Sequence, residues 1–400
     1  MPLVSGFNCK LSIFIMKKSG YGKVYAISLG HFIHDIYTSF LAPILPLLIE
    51  RLQINYTMAA LLTVAQRFPS LFNAPAGLLA DKISFRYAVI AAPTVSGIIM
   101  SLLGMAPNYI VLLMMLFGVG ISAVIFHIPT PVMIKKAVPE KIGFGMSMYM
   151  LGGELARTLG PLIILAAISL WGFEHTYKLI PLSVATSVLL WIKLKDFSIH
   201  RKKEGRKDLV SVKSVLVKYK MFFLMITGFM LFISFMKASL SVFLPTFITA
   251  QGNSLWAGGI NLAIFQFAGA IGTFASGTIS DKIGRRTILL IAGFSNPVLM
   301  LIFVYFQNTV FSYLFLALLG LTLVSSGSVL LALVQDIPTD RPAFMNGIYM
   351  TINFFVGSLG AVLIGYIGDK MGLENTFYLA AFLAVVAIPF LLKLPKRKAV

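Results

Sequence analysis

Gly77-Leu78-Leu79-Ala80-Asp81-Lys82-Ile83 and Gly277-Thr278-Ile279-Ser280-Asp281-Lys282-Ile283 are one motif written twice, 200 residues apart in a chain of 400. Each copy closes an apolar stretch. The same offset pairs Gln66 with Gln266, Arg86 with Arg286, Gly120 with Gly320, Tyr149-Met150 with Tyr349-Met350 and Leu159-Gly160 with Leu359-Gly360. Half of the chain is therefore a copy of the other half. Duplicated halves of a membrane protein point to a transporter, because two similar bundles can rock about a site held between them.

Composition names the solvent. With 58% hydrophobic residues, 12% charged residues and a mean hydropathy of +0.89, a water-soluble fold would expose large apolar patches and aggregate. Apolar windows recur between short polar breaks, each long enough to cross roughly 30 Å of hydrocarbon at about 1.5 Å per residue. Twelve spans are expected, near 24–49, 57–80, 87–105, 108–131, 143–170, 175–194, 219–249, 256–279, 286–306, 309–334, 343–368 and 374–392. The fold class is an all-α membrane protein, with twelve transmembrane helices in two pseudo-symmetric six-helix bundles. Residues 1–23 form an N-terminal tail, 24–194 the first bundle, 195–218 a basic linker, 219–392 the second bundle and 393–400 a C-terminal tail.

A formal net charge of +19 would suit nucleic acid in a soluble protein, but here the cations form no continuous patch, and no nucleic-acid partner is expected. Arg51, Lys178 and Lys370 lie in odd-numbered connections, and Arg67, Arg157 and Lys237 lie inside spans. The other Lys and Arg fall in the tails and the even-numbered connections. Positive loops stay on the cytoplasmic side, so both termini are expected there, in a plasma (inner) membrane. The connection after the sixth span, with Arg201-Lys202-Lys203 and Arg206-Lys207, reads as an inter-half linker that touches anionic lipid. Cys9 is the one cysteine, which excludes an intrachain disulfide and a cysteine-built metal site. No cleaved-signal pattern opens the sequence, and the Met-Lys-Lys at Met16 is a candidate start.

Charges inside the bilayer carry the functional signal, since each costs roughly 2.5–3.5 kcal/mol on insertion scales. Asp35, Arg67, Glu154, Arg157 and Lys237 stand well inside the first, second, fifth and seventh spans. His31, His34, Asp35 and Thr38 share one face of the first span by their i, i+3, i+4, i+7 spacing. Matching Pro46 to Pro245 sets Lys237 opposite Thr38 in the repeat, so an acid and a base are expected to point toward one midplane. The expected substrate-binding set is His31, Asp35, Thr38, Gln66, Arg67, Glu154, Arg157, Lys237 and Gln266, with Asp35 the expected partner of Lys237 in the empty state. For Gln66 and Gln266 a plain interhelical hydrogen bond is an equal reading. Asp35, Glu154 and His34 are the candidates for proton coupling. The small-residue stripes Gly152, Ala156, Gly160 and Gly357, Ala361, Gly365 are read as packing surfaces.

The loops Asp81-Lys82 and Asp281-Lys282-Ile283-Gly284-Arg285-Arg286 pair a helix-end carboxylate with basic residues in a tight turn. The set Gly77, Asp81, Lys82, Arg86, Gly277, Asp281, Lys282, Arg285 and Arg286 is expected to act as a cytoplasmic charge latch. These loops closely resemble the signature of the major facilitator superfamily, although Ser84 and Phe85 stand where Gly and Arg are usual, which implies a weaker latch in the first half. Gly30-His31-Phe32-Ile33-His34-Asp35, Leu45-Pro46-Leu47-Leu48, Phe126-His127 and Gly145-Met146-Ser147 through Gly152-Gly153 to Gly160-Pro161 resemble the fosmidomycin-resistance branch of that superfamily. The resemblance implies proton-driven export of small drugs or anionic metabolites, with His31, Asp35, His127 and the Gly152-Gly153 region lining or gating the path. Family members usually have Asn at the position of His34 and His-Pro-Glu where this chain has His127-Ile128-Pro129-Thr130.

The function expected is a secondary transporter working by alternating access, a proton-coupled exporter of a small anionic or amphiphilic drug or metabolite. A proton-coupled importer of a small organic anion is the alternative, and an integral-membrane enzyme a distant one. His31-x-x-His34-Asp35 lacks any accompanying zinc, nucleotide or Gly-x-Ser-x-Gly pattern, so neither catalysis nor a metal is expected. The energy source is the proton gradient, with no cofactor. The partners are a small-molecule substrate and the lipid bilayer, and the working unit is a monomer.

Overall fold

In the computed structural model, residues 4–73, 86–195, 197, 212–339 and 342–394 are described, with the side chains of 4–19, 212–215 and 342–343 excepted. Among these residues all regular structure is helical. Nine helical stretches are long and apolar enough to cross a membrane: Gly20–Leu52, Tyr109–Ala137, Pro139–Trp171, Phe173–Leu194, Leu216–Ala250, Leu255–Ile283, Arg285–Tyr305, Phe311–Gln335 and Phe344–Leu392. The last is two helices meeting at Gly372, whose φ of 79° no helix permits, and it covers the expected eleventh and twelfth spans. Helices Tyr56–Arg67 and Arg86–Ser101 lie where the second and third spans are expected. The twelve-span arrangement accommodates all of them. Most of the linker 195–218 and the loop copy with Gly77, Asp81 and Lys82 lie outside the described residues.

The duplication is physical as well as textual. Gly172 (φ 84°) turns the chain from the fifth span into the sixth, as Gly372 does from the eleventh into the twelfth; both need the left-handed backbone that glycine adopts without strain. Asn55, Asn108 and Ser254 cap the second, fourth and eighth helices by accepting from the backbone N–H three residues on, which satisfies groups that lipid would leave unpaired. Arg51 reaches Glu174 at 3.3 Å, and its repeat mate Gln251 donates to Glu374 at 3.0 Å. Where Gly160 meets the first span, a Cβ would lie 2.9 Å from the Ile36 carbonyl, and at Gly360 it would lie 3.1 Å from the Ser234 carbonyl of the seventh. Small residues thus bring the fifth helix onto the first and the eleventh onto the seventh.

The first and seventh spans both break near their middles. The first has a turn at Ser39-Phe40 after Thr38, and the seventh a π-helical turn over Ser239–Phe243 after Lys237. Beyond these breaks the two halves join. Phe40, Ile44 and Leu45 share one buried cluster with Phe243 and Phe247. Asp369 of the eleventh span accepts from the Tyr56 and Thr57 N–H groups (2.7 and 3.0 Å) and the Thr57 hydroxyl (2.5 Å) at the start of the second. Trp256 donates to Ser169 at 2.8 Å. At the basic end, by contrast, Val24, Ile27, Val89, Phe126 and Leu190 form a separate cluster within the first half. Large apolar side chains such as Ile110, Met114, Leu170 and Phe355 are exposed around the perimeter, where lipid is the solvent.

Candidate functional site

Between the halves lies a cavity of about 680 Å³. Its wall includes Asp35, Thr38, Gln66, Arg67, Glu154, Arg157, Lys237 and Gln266, all but one of the expected substrate-binding set. The exception is His31, which sits one layer behind Asp35. Ser70, Asn73, Thr273, Ser328 and Asn353 also line the cavity, and their places along the spans carry it from the middle of the bundle toward the basic end.

The three cations Arg67, Arg157 and Lys237 come from different helices and line one cavity. Arg157 is ion-paired with Glu154 one turn away on the fifth span, as their spacing predicts. Arg67 and Lys237 have no carboxylate partner among the described residues. Lys237 lies just before the π-helical turn of the seventh span, where a chain of ordinary helical turns is already interrupted. Gln66 donates to the Thr38 carbonyl at 2.8 Å, tying the second span to the break in the first. Glu154 is buried, while Lys237 and Arg67 are exposed to the cavity.

Asp35 does not pair with Lys237, contrary to the sequence expectation. Three imidazoles hold it instead. His31 Nε2 is 3.2 Å from Oδ2, His34 Nδ1 is 3.1 Å from Oδ1, and His127 Nε2 is 3.2 Å from Oδ1. The physical reason is helix order: the first span packs against the fourth and fifth on this face, and Gly153 lets His31 lie flat between them. A Cβ there would sit 2.6 Å from His31 Cε1. His31 stacks on Tyr149 with ring centroids 3.8 Å apart, and its Nδ1 donates to the Tyr149 carbonyl at 2.7 Å. His127 Nδ1 meets the Tyr149 hydroxyl at 3.0 Å, which also contacts Thr130 at 2.9 Å.

His31, Asp35 and His127 present ligand atoms within 4.8 Å of one another, a spacing that a transition metal could bridge. Each of the three N···O separations to Asp35 is also a hydrogen-bond length. Sequence reasoning read His127 from its residues as equally a satisfied helix-end residue or a working one, and gave it a place on the path only through resemblance. Its residue type, a histidine inside an apolar span just before two prolines, was the available signal. Ser96, which contacts His34 from the third span, and Ser122 of the fourth, which bonds Ser96, carried no signal of their own.

At the basic end the second loop copy is held by its two arginines. Arg285 bonds Asp281 at 2.5 Å and Asp336 of the tenth span at 3.3 Å, while Arg286 donates to the Leu391 and Leu392 carbonyls at the end of the twelfth. Gly277 supplies a carbonyl to Arg285 at 3.3 Å, and Lys282 is exposed. In the first half, Arg86 bonds the Tyr87 hydroxyl at 2.5 Å and lies over its ring.

The family model of the Major Facilitator Superfamily matches residues 27–361. The chain belongs to the major facilitator superfamily. It is 25% identical over 382 residues to the fosmidomycin resistance protein of Escherichia coli (strain K12), covering 93% of this chain and 92% of that one. The likeness therefore runs through both halves, further than the first-half stretches that suggested it. The multi-drug resistance efflux pump PmrA of Streptococcus pneumoniae is 23% identical over 283 residues, 68% of this chain and 70% of that one. Among solved structures, a bacterial homolog of the human lysosomal transporter Spinster, in an inward-facing and occupied conformation, superposes with a TM-score of 0.74 at 14% identity, covering 92% and 95%. This superfamily member is thus a multi-pass membrane transporter of small molecules and not an enzyme.

Proposed function

We propose that this transporter exports a small anionic or amphiphilic molecule in exchange for protons, as a monomer in the inner membrane with both termini in the cytoplasm. One observation carries the reading: Arg67, Arg157 and Lys237 face the same cavity whose wall bears Asp35 and Glu154. The excess of cations selects an anion, because a multiply charged guest offsets their mutual repulsion in a low-dielectric site. The acids provide places for protons. By the bias of positive loops the basic end is cytoplasmic, so a bundle joined at the opposite end and hollow toward the basic end corresponds to the inward-open state. The anion enters there, Lys237 and Arg67 take its charge, and rocking about the Gly160 and Gly360 contacts exposes it on the other side. Asp35 and Glu154 carry protons on the return.

A specific observation favours a second reading, proton-coupled import. Each proton taken up makes the cavity one charge more positive, so proton and anion favour each other's binding, which an inward gradient turns into uptake. The names of the relatives, resistance and efflux, favour export. Expression in a fosmidomycin-sensitive cell separates the two: export raises the drug concentration tolerated, import lowers it. Purified protein in vesicles under an imposed pH gradient then tests coupling. Transport of a solute unaffected by the gradient would overturn the proton-coupled reading in either direction.

A further inference from the structure

The hydrogen bonds behind Asp35 dictate where its neighbours' protons sit. A backbone carbonyl only accepts. Ser122 Oγ therefore donates to the Ala92 carbonyl at 3.0 Å, and its remaining capacity is to accept from Ser96 Oγ at 2.9 Å. Ser96 has then spent its one hydrogen, so at 3.0 Å it must accept from His34 Nε2–H. His31 Nδ1 is likewise obliged to donate, to the Tyr149 carbonyl. Both imidazoles thus turn a nitrogen toward Asp35 that, in the neutral ring, bears a lone pair and no hydrogen. An ionised carboxylate also accepts only. Each contact, at 3.2 and 3.1 Å, requires one additional shared proton.

We infer that Asp35, His31 and His34 form a two-proton loading site, and that Ser96 and Ser122 are positioning residues that create the second of its two places. The inference rests on the proton-coupled reading of the cavity and deepens it by fixing the number of protons held around Asp35. His127 is different in kind. Thr130 gives its hydrogen to the Phe126 carbonyl at 2.9 Å, leaving the Tyr149 hydroxyl free to donate to His127 Nδ1 or to Thr130. Neutral His127 can therefore donate from Nε2 to Asp35 without an extra proton. The groups facing Asp35 are then these three histidines, with Tyr149 behind His31 and His127 and the cavity beyond. With both protons present, the trio carries one net positive charge on a buried carboxylate that would otherwise stand alone. With both removed, two lone pairs oppose the carboxylate within the first span, while His31 still donates to the Tyr149 carbonyl, His34 to Ser96 and His127 to Asp35.

The chain has five histidines, few enough for nitrogen NMR of 15N-histidine-labelled protein in detergent, each resonance assigned by single replacement. In the wild type, His34 should be protonated at Nε2 at every pH and gain its Nδ1 proton on acidification, alongside His31. Ser96→Ala frees the ring: neutral His34 should change tautomer, donate Nδ1–H to Asp35 and cease to take up a proton. Ser122→Ala should do the same without touching the ring, because Ser96 can then donate to Nε2. Ser96→Thr should restore the wild-type tautomer. In vesicles, the dependence of transport on proton concentration should fall from second order to first in both alanine variants. A neutral His34 protonated at Nδ1 in the wild type, or an unchanged tautomer in both alanine variants, overturns the inference. The NMR result needs no transport, so it stands or falls separately from proton coupling. Loss of coupling with the predicted tautomers intact would remove the function and leave the site.

Discussion

Tyr149 and Tyr349 occupy matched places in the two halves, and each hydroxyl reaches from one span to the preceding one, yet they land on different chemistry. Tyr149 meets His127 and Thr130, whereas Tyr349 donates to the carbonyl of Gly327 at 3.1 Å, the repeat mate of His127. Deeper in, the Ser96–Ser122 pair has its counterpart in Asn296 and Thr322, bonded at 2.5 Å. In the first half that pair ends on His34; at the matched positions of the seventh span stand Met230, Ile233 and Ser234 in place of His31, His34 and Asp35. The scaffold of interhelical bonds is thus duplicated and the titrating groups are not. Among the described residues, Lys237 is the single charge that the second half contributes to the cavity wall. A division of labour follows, with proton chemistry in the first half and an anion anchor in the second.

The sharpest way to break that comparison is at its centre. Asp35→Asn removes the acceptor on which three imidazoles converge, and pH-driven accumulation should fall to background while exchange without a gradient continues. Ser234→Ala, at the matched place, should leave both intact. Equal damage from the two would mean that the halves share proton chemistry after all. Glu154→Gln, measured alongside, decides whether the second acid carries a separate proton.

Packing should be symmetric where chemistry is not. Gly160→Ala and Gly360→Ala each press a methyl group against a carbonyl of the neighbouring helix, and overpacking of this kind costs about 1–3 kcal/mol. Thermal unfolding should show similar losses for both and none for Gly357→Ala, which has open space around it. A loss confined to one half would show that the close contacts are unequal despite their geometry.

Lys237→Met should weaken binding of anionic ligands by at least tenfold, about 1.4 kcal/mol, with neutral ligands affected less. Equal loss for both classes would make Lys237 a structural residue and remove the second half's part in recognition. The smallest effect is expected at the end where the halves join. Asp369→Asn keeps the shape of the cap on the second helix but removes its charge from the helix N-terminus, a change of about 0.3–1 kcal/mol. Accessibility of engineered cysteines, in a background lacking Cys9, should shift toward the outward-open form by about two- to fivefold on that scale. An unchanged pattern would assign the closure to the apolar cluster around Phe40 and Phe243 alone.

The sequence was most informative where lipid leaves the chain no choice. A backbone in hydrocarbon must satisfy its own polar groups, so long apolar runs can only be helices, and their charges can only be paired, solvated or useful. That is why the spans, the duplication, the Glu154–Arg157 pair and the cavity-facing places of Arg67, Lys237 and Gln266 could be read before any fold was known. Partners were not legible in the same way. Asp35 and Lys237 have opposite charges and sit near one midplane, but His127 lies 92 residues beyond Asp35 in the chain, and nothing in the spacing brings them together. Which helices touch, and at what height, is decided by small residues such as Gly153 and Gly160 letting backbones approach. The protonation of His34 is set further away still, by a carbonyl at Ala92 relayed through two serines. The sequence alone determined that this protein crosses a membrane as two copies of one bundle with charge held inside. Tertiary structure alone decided that the acid belongs to three histidines and leaves the lysine free, because hydrogen-bond direction depends on contacts a few ångströms long between residues far apart in the chain.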